Sequence, residues 1–300
     1  MHSILVWAVG FIFVSGANAE EYTFEVRVGE RVQDWCQRLE GQRLLTCQVI
    51  LDLAEDADFV DYPFLDSVQS AIPASADSTI NPFLGNRFEG ALTPGDYTIE
   101  LTKLDSAVVL AAEAGDAATA NAQQILTLLF QKSQARFGAM ADRYGLNPRQ
   151  QRILASIVEK EAVANTAYDT VAAVFHNRLK RNDSLGSCPT VEYALGFHRP
   201  FLLNKDLAAV ATSPYNVYKK KGLPPTPICF FSDAALNAVK VPAVADSVYF
   251  FVYDWTTRRL HFEKINGYRK HQQNAGRSKE NYKRQLGDIR QLFPDKFYQH

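Results

Sequence analysis

The chain has 300 residues, 47% of them hydrophobic, which is enough for a substantial core and roughly two domains. Lys plus Arg (32) nearly cancels Asp plus Glu (33), so no global field gathers nucleic acid and no nucleic-acid partner is expected. No internal repeat or low-complexity tract interrupts the sequence.

In chain order, Ile4 to Val14 is almost wholly apolar, and Ala17-Asn18-Ala19 has the small-x-small pattern of a signal peptidase site. A cleaved signal over 1–19 is the expectation, with an uncleaved single-pass anchor as the alternative, because the basic n-region is missing. Either way the body of the protein is expected to be exported. Export makes disulfides possible for Cys36, Cys47, Cys188 and Cys229, whose three pairings the sequence leaves open. Tyr22, Phe24, Val26 and Val28 alternate as in a half-buried strand. Gly29-Glu30-Arg31 then turns the chain into a helix with Val32, Trp35, Cys36 and Leu39 on one face, a small α+β unit. Asp52, Glu55, Asp56, Asp58 and Asp61 form an acidic patch. Residues Asp61 to Pro94 read as loops, with a domain boundary near Asn86, and Ala107 to Tyr144 as one or two helices.

Asn147-Pro148 reads as a helix start, since Asn147 can cap free N–H groups and Pro148 suits the first helical position. In the helix that follows, Leu154, Ile157 and Val158 make one apolar stripe. Glu161 falls seven, four and three residues after them, on the same stripe, while Glu159 points to nearly the opposite side. A carboxyl group among aliphatic side chains loses solvation of its charged form and holds its proton nearer neutrality, as a general acid must. The competing explanation is a structural role, an ion pair with a core Arg or a cap on a neighbouring helix. Downstream, the sequence predicts a helix over Tyr168 to Lys180, a short one from Pro189 to Leu195, tyrosine- and proline-dense loops, and a hairpin of Ser247–Tyr253 with Arg259–Glu263. A basic helix closes the chain from Tyr268 to Phe293, and its charge is the usual mark of a solvated face. Asn177, Arg178, Thr190, Tyr193, Tyr215, Asn216 and Tyr218 are candidate glycan contacts: aromatic walls suit the C–H faces of sugars, and Asn, Arg and Tyr suit their hydroxyls. Each has a packing explanation of its own. No CxxC or HExxH occurs, so neither metal nor cofactor is expected, and His261 and His271 read as strand and surface residues.

Several ordered blocks carry a family resemblance. They are Ile153 to Glu161, Val174-Phe175-His176-Asn177-Arg178-Leu179, Pro189 to Gly196, Ser213 to Tyr218, Gly222-Leu223-Pro224-Pro225, Tyr249 to Val252 and His261-Phe262, preceded by Phe88-Glu89-Gly90. Together they resemble the YceG-like endolytic murein transglycosylases over roughly Phe88 to Asn274. The resemblance implies an α+β protein: a small LysM-like unit over 20–85, then a mainly helical catalytic domain with a small hairpin over 86–300. It also implies export to the periplasmic face of the inner membrane and cleavage of peptidoglycan glycan strands, beside peptidoglycan synthases or divisome proteins, with Glu161 as the catalytic acid. Two departures from the pattern stand out. Cys188 replaces a frequent Asp, and Phe230-Phe231-Ser232 replaces a frequent Asn-Pro-Gly, which suggests a bond between Cys188 and Cys229 in place of a polar contact. The alternatives are a lysozyme-like muramidase using a second acid (Glu159, Asp183 or Glu192) and a wall-binding scaffold without activity.

Overall fold

The computed structural model describes residues 19–56, 59, 62–65, 81–102, 116–162, 167–199, 201–254, 257 and 259–286. The first strand, β1 (Ala19–Val26), alternates as expected, with Phe24 and Val26 buried. Its partner is β2 (Gly95–Thr102), antiparallel from Ala19 opposite Thr102 to Val26 opposite Gly95, which lies beyond the boundary expected near Asn86. The opposed rings of Phe24 and Tyr97 stack at 5.6 Å, a cross-strand pair of the kind that fixes register. Between the strands in sequence come α1 (Val32–Gly41) and α2 (Cys47–Glu55). The α1 face of Val32, Trp35, Cys36 and Leu39 is buried throughout. Thr46 caps α2 by accepting the Val49 N–H, and a Cys36–Cys47 disulfide staples the two helices. Asp52 and Glu55 lie exposed on α2 and Asp56 at its C-terminal cap; Asp58 and Asp61 fall outside the described residues.

Helix α3 (Asp116–Phe137) buries Ala118, Ala122, Ile125, Leu126, Leu129 and Phe130; the earlier part of the predicted helical stretch lies outside the described residues. Helix α4 (Pro148–Glu161) starts as the sequence predicts. Asn147 accepts the Gln150 N–H at 2.9 Å and the Gln150 side chain accepts the Asn147 N–H at 3.0 Å, a complete capping box with Pro148 at the first position. One apolar stripe understates this helix, because every residue from Gln151 to Glu159 is buried. Around it pack α5 (Tyr168–Lys180), α6 (Cys188–Leu195) and α8 (Asp233–Lys240), with the short α7 (Asn204–Ala209) against α6. The hairpin of β3 (Val248–Asp254) and β4 (Arg259–Lys264) lies on α5 and carries α9 (Tyr268–Leu286). Along α9, Ser278 and Tyr282 are buried while Arg269, Lys270, Arg277, Lys279, Lys283 and Arg284 face solvent; the predicted extension to Phe293 lies outside the described residues.

The strip 226–232 ties the halves together. Ser156 Oγ accepts the Ile228 N–H at 3.0 Å, and Phe230 exchanges backbone hydrogen bonds with the first unit: Gly29 N–H to Phe230 O at 2.7 Å and Phe230 N–H to Glu30 O at 2.8 Å. The expected Cys188–Cys229 bond is not formed. Cys229 is buried against α4 with Sγ 3.3 Å from Ser156 O, whereas Cys188 opens α6 with Sγ 3.0 Å from the Tyr218 hydroxyl, so the two thiols serve separate contacts. Among the described residues no helix is long and apolar enough to cross a membrane; Ile4 to Val14 lies outside them.

Candidate functional site

Two carboxyl groups end α4, and the chain treats them differently. Glu159 is buried and fully engaged: Oε1 accepts from the Tyr168 hydroxyl at 2.7 Å, and Oε2 from Ser232 N–H at 2.8 Å and Ser232 Oγ at 2.6 Å. Ser232 also caps α8, so Glu159 is a structural clasp between α4, α5 and α8. Glu161, two residues past the last buried position, is half-buried and turned toward the start of α6. Its Oε1 accepts from Ser187 Oγ at 2.7 Å, and the Cys188 backbone N–H also reaches the carboxyl. Burial lifts the Glu161 pKa to about 7, and the negative charge of Glu192 adds to the rise. Ser187, Arg178 and the Cys188 N–H pull the other way without overcoming the loss of water. The result is a carboxyl that is a proton donor near neutrality and still has donors waiting for its charged form.

Arg178 does not lock the acid in an ion pair. Its Nε and Nη2 donate to Tyr249 O at 3.0 and 2.8 Å and its Nη1 to Leu185 O, so the guanidinium is fixed by the hairpin and acts on Glu161 through space. Gly186 makes room for this arrangement. At φ +59°, a Cβ there would sit 3.3 Å from Arg178 Nη1 and 3.8 Å from the Tyr218 ring. Tyr218 is 39% exposed, its hydroxyl on Cys188 Sγ and its charge environment coupled to Glu161. The Cys188 thiol, pushed up to about 12 by burial and by Glu161, stays neutral and is no nucleophile at working pH.

Of the predicted contacts, Arg178 and Tyr218 therefore come together with Glu161. The others lie behind the site with their polar atoms turned inward. Asn177 donates to Ala245 O and Val248 O at 3.0 and 2.8 Å, fastening α5 to the hairpin. Thr190 Oγ1 closes on Ser187 O at 2.8 Å, which holds the turn that presents Ser187. Tyr193 and Tyr215 are buried, their rings 4.9 Å apart; the Tyr193 hydroxyl donates to Phe83 O at 3.2 Å and the Tyr215 hydroxyl meets Thr226 Oγ1 at 2.6 Å. Asn216 donates to Leu207 O and Val210 O at 3.1 and 3.2 Å. Sequence reasoning missed Ser187, whose signal was its place just before the Pro-Thr helix start, and Gly186. Among the described residues no group of three or more His, Cys, Asp or Glu is arranged to hold a metal ion. A cavity of about 800 Å³ between α5 and α8, lined by Arg143, Tyr168, Asn237 and Lys240 among others, includes none of the residues around Glu161.

The fold is mainly helical α+β, and its candidate site is one half-buried carboxyl at a helix end, met by the Ser187 hydroxyl and the first N–H of a second helix. The chain belongs to the YceG-like family, whose model matches residues 8–277. It is 41% identical over 97 residues to the endolytic murein transglycosylase of Bacillus subtilis (strain 168), a match covering 32% of this chain and 26% of that protein. It is 31% identical over 180 residues to the endolytic murein transglycosylase of Streptococcus pneumoniae (strain ATCC BAA-255 / R6), covering 59% of this chain and 30% of that protein. The matched region thus spans less than a third of either relative. The crystal structure of a yceG-like protein from Listeria monocytogenes superposes with a TM-score of 0.62 at 26% identity, covering 83% of this chain and 75% of that one.

Proposed function

We propose that the protein is an endolytic peptidoglycan lytic transglycosylase that cleaves MurNAc–GlcNAc bonds within glycan strands and leaves 1,6-anhydroMurNAc ends. The observation that carries the reading is the Glu161 carboxyl, raised to about 7 at the end of α4 with Ser187 and the Cys188 N–H on it. Protonated Glu161 gives its proton to the glycosidic oxygen, and positive charge develops at the muramic C1. The new carboxylate is stabilised by the Ser187 hydroxyl, the Cys188 N–H and the nearby Arg178 charge, which cost nothing to reorganise at that moment. It then takes the proton of the same sugar's C6 hydroxyl as that oxygen closes on C1. The nucleophile belongs to the substrate, so no water is consumed and neither metal nor cofactor enters. The exposed Tyr218 ring is the sugar platform.

On this reading the substrate is peptidoglycan and the enzyme works outside the cytoplasm in wall assembly, alongside peptidoglycan synthases or divisome proteins. The segment Ile4 to Val14 acts as a cleaved signal or a membrane tether. The unit formed by β1, α1, α2 and β2 serves as a LysM-like hold on the glycan. The names of the two relatives support the substrate class. A muramidase reading has one observation in its favour, the second carboxyl Glu192 close to Glu161. Mass spectrometry of digested murein separates the two, because transglycosylation gives ends lighter by one water. Glu161→Gln is expected to lose at least ~10²–10⁴-fold in the release of anhydro ends, since one residue serves both proton steps. Anhydro ends released by that variant at the wild-type rate would sink the assignment.

A further inference from the structure

Glu192 is a second acid beside the site to which the scheme above gives no task. It lies on α6 four residues after Cys188, hence one helical turn along the face whose first N–H meets Glu161. Its residue is only 8% exposed, and both its oxygens are held: Oε1 accepts the Arg199 N–H at 3.2 Å and Oε2 meets His198 Nδ1 at 2.9 Å. The His198 ring is itself mostly exposed, with 78% of its side chain in solvent, so the carboxyl is tethered at the edge of the site and not sunk in the core. Arg199 sends its guanidinium to Asp206 at 2.8 Å and its backbone N–H to Glu192. A Gln here would keep the side chain's size and one acceptor oxygen for the Arg199 N–H while removing the charge.

The charged and titratable groups facing Glu161 come from three elements. Arg178 on α5 draws its proton away. Cys188 and Glu192 on α6, and Tyr218 from the loop after α7, surround it with one anionic charge and two neutral groups. On Glu161's own helix, Lys160 turns outward and donates to Gly29 O at 3.2 Å. Arg178 cannot be removed without loosening the hairpin it anchors, so its pull on the acid must be opposed by something else. We propose that Glu192 is a positioning residue for the proton of Glu161: its fixed negative charge, held by His198 and the Arg199 N–H, offsets Arg178 and extends the pH range over which Glu161 can act as the acid. This rests on Glu161 being the proton donor of the proposed reaction.

The test is the pH profile of kcat/KM for release of anhydro ends from purified murein, measured for the wild type, Glu192→Gln and Glu192→Asp. Glu192→Gln should move the alkaline limb to lower pH by about half to one unit, so that activity falls roughly 3- to 10-fold at pH 8 and is unchanged at pH 5. Glu192→Asp, which keeps the charge, should restore most of the wild-type limb. A Glu192→Gln profile lying on the wild-type curve overturns the proposal. So does an equal loss at every pH accompanied by a lower melting temperature, which would make the residue merely structural. If Glu192→Gln does not fold, Glu192→Asp carries the test alone, and a limb displaced as far as one unit there overturns it. A wild-type protein that releases no anhydro ends at any pH would instead remove the proposed function itself.

Discussion

Replacing Glu89 by Gln should make the protein more stable, and only above a certain pH. Glu89 is 1% exposed. Its Oε1 accepts the Val32 N–H at the start of α1 at 3.2 Å, the Tyr193 hydroxyl lies near the carboxyl, and among the described residues Oε2 has no partner in good hydrogen-bond geometry. Burial is the main cause that lifts its pKa to about 8; the Val32 N–H and the nearby Arg31 charge pull it down without cancelling that. Below pH 4.5 the group is protonated in both folded and unfolded chains, and the folded state keeps its full stability. As pH rises from there to about 8, the unfolded chain releases the proton and the folded one does not. Each pH unit then removes about 1.4 kcal/mol, roughly 4–5 kcal/mol across the window, after which the loss is complete. Glu89→Gln abolishes this slope. Its own amide adds a cost that does not depend on pH, so the difference in slope is the readout. Thermal melting followed by circular dichroism at pH 4.5, 6, 7 and 8 should show the variant gaining on the wild type by roughly 10 °C over the series. Melting curves that run parallel across the series would refute the reasoning and mean that Glu89 is charged in the folded protein.

Ser187→Ala removes a donor that lowers the Glu161 pKa, so the alkaline limb of activity, expected near pH 7 for the wild type, should move upward while kcat on the acid side drops about 10-fold; kinetics across pH check both signs. Gly90→Ala should cost about 2–4 kcal/mol in urea unfolding, because φ is +65° and the new Cβ would lie 2.4 Å from Pro227 Cβ. Ser232→Ala should cost about 1–3 kcal/mol by removing the α8 cap and a hydrogen bond to Glu159. Its specific activity at pH 6 should be unchanged, since Glu159 holds helices together and takes no part in the chemistry.

Helix α4 was legible because its start is written in local chemistry: Asn147, Pro148 and Gln150 form their cap whatever the rest of the chain does. The same holds for the α5 and α6 spans and the hairpin, where short-range periodicity and turn residues agree. Strand β2 was overlooked although Tyr97, Ile99 and Leu101 alternate, because it follows a Pro- and Asn-rich stretch and pairs with a strand some seventy-five residues earlier. Helix α2 is only nine residues long, and its acids Asp52 and Glu55 interrupt the apolar period of Val49, Ile50 and Leu53. At the site, Glu161 could be found from its helical phase. Tyr193, Tyr215 and Tyr218 could not be told apart, since whether a tyrosine faces solvent or a neighbouring ring depends on contacts between α6 and the loops, which no spacing records. Cys188 misled for a related reason: its partner is a phenol brought close by the fold, and a sequence offers only other cysteines.

The reciprocal hydrogen bonds between Gly29–Glu30 and Phe230 bear on how the molecule can be divided. A fragment starting after Asn86 would remove the partners of the Phe230 N–H and C=O, strip β2 of its partner strand β1 and uncover the side of Glu89 that meets α1. Ser232, two residues from Phe230, also holds Glu159 on α4, so such a cut would loosen the strip that packs against that helix. The amino-terminal unit is thus less a detachable appendage than the outer half of the mount on which α4 and Glu161 are set.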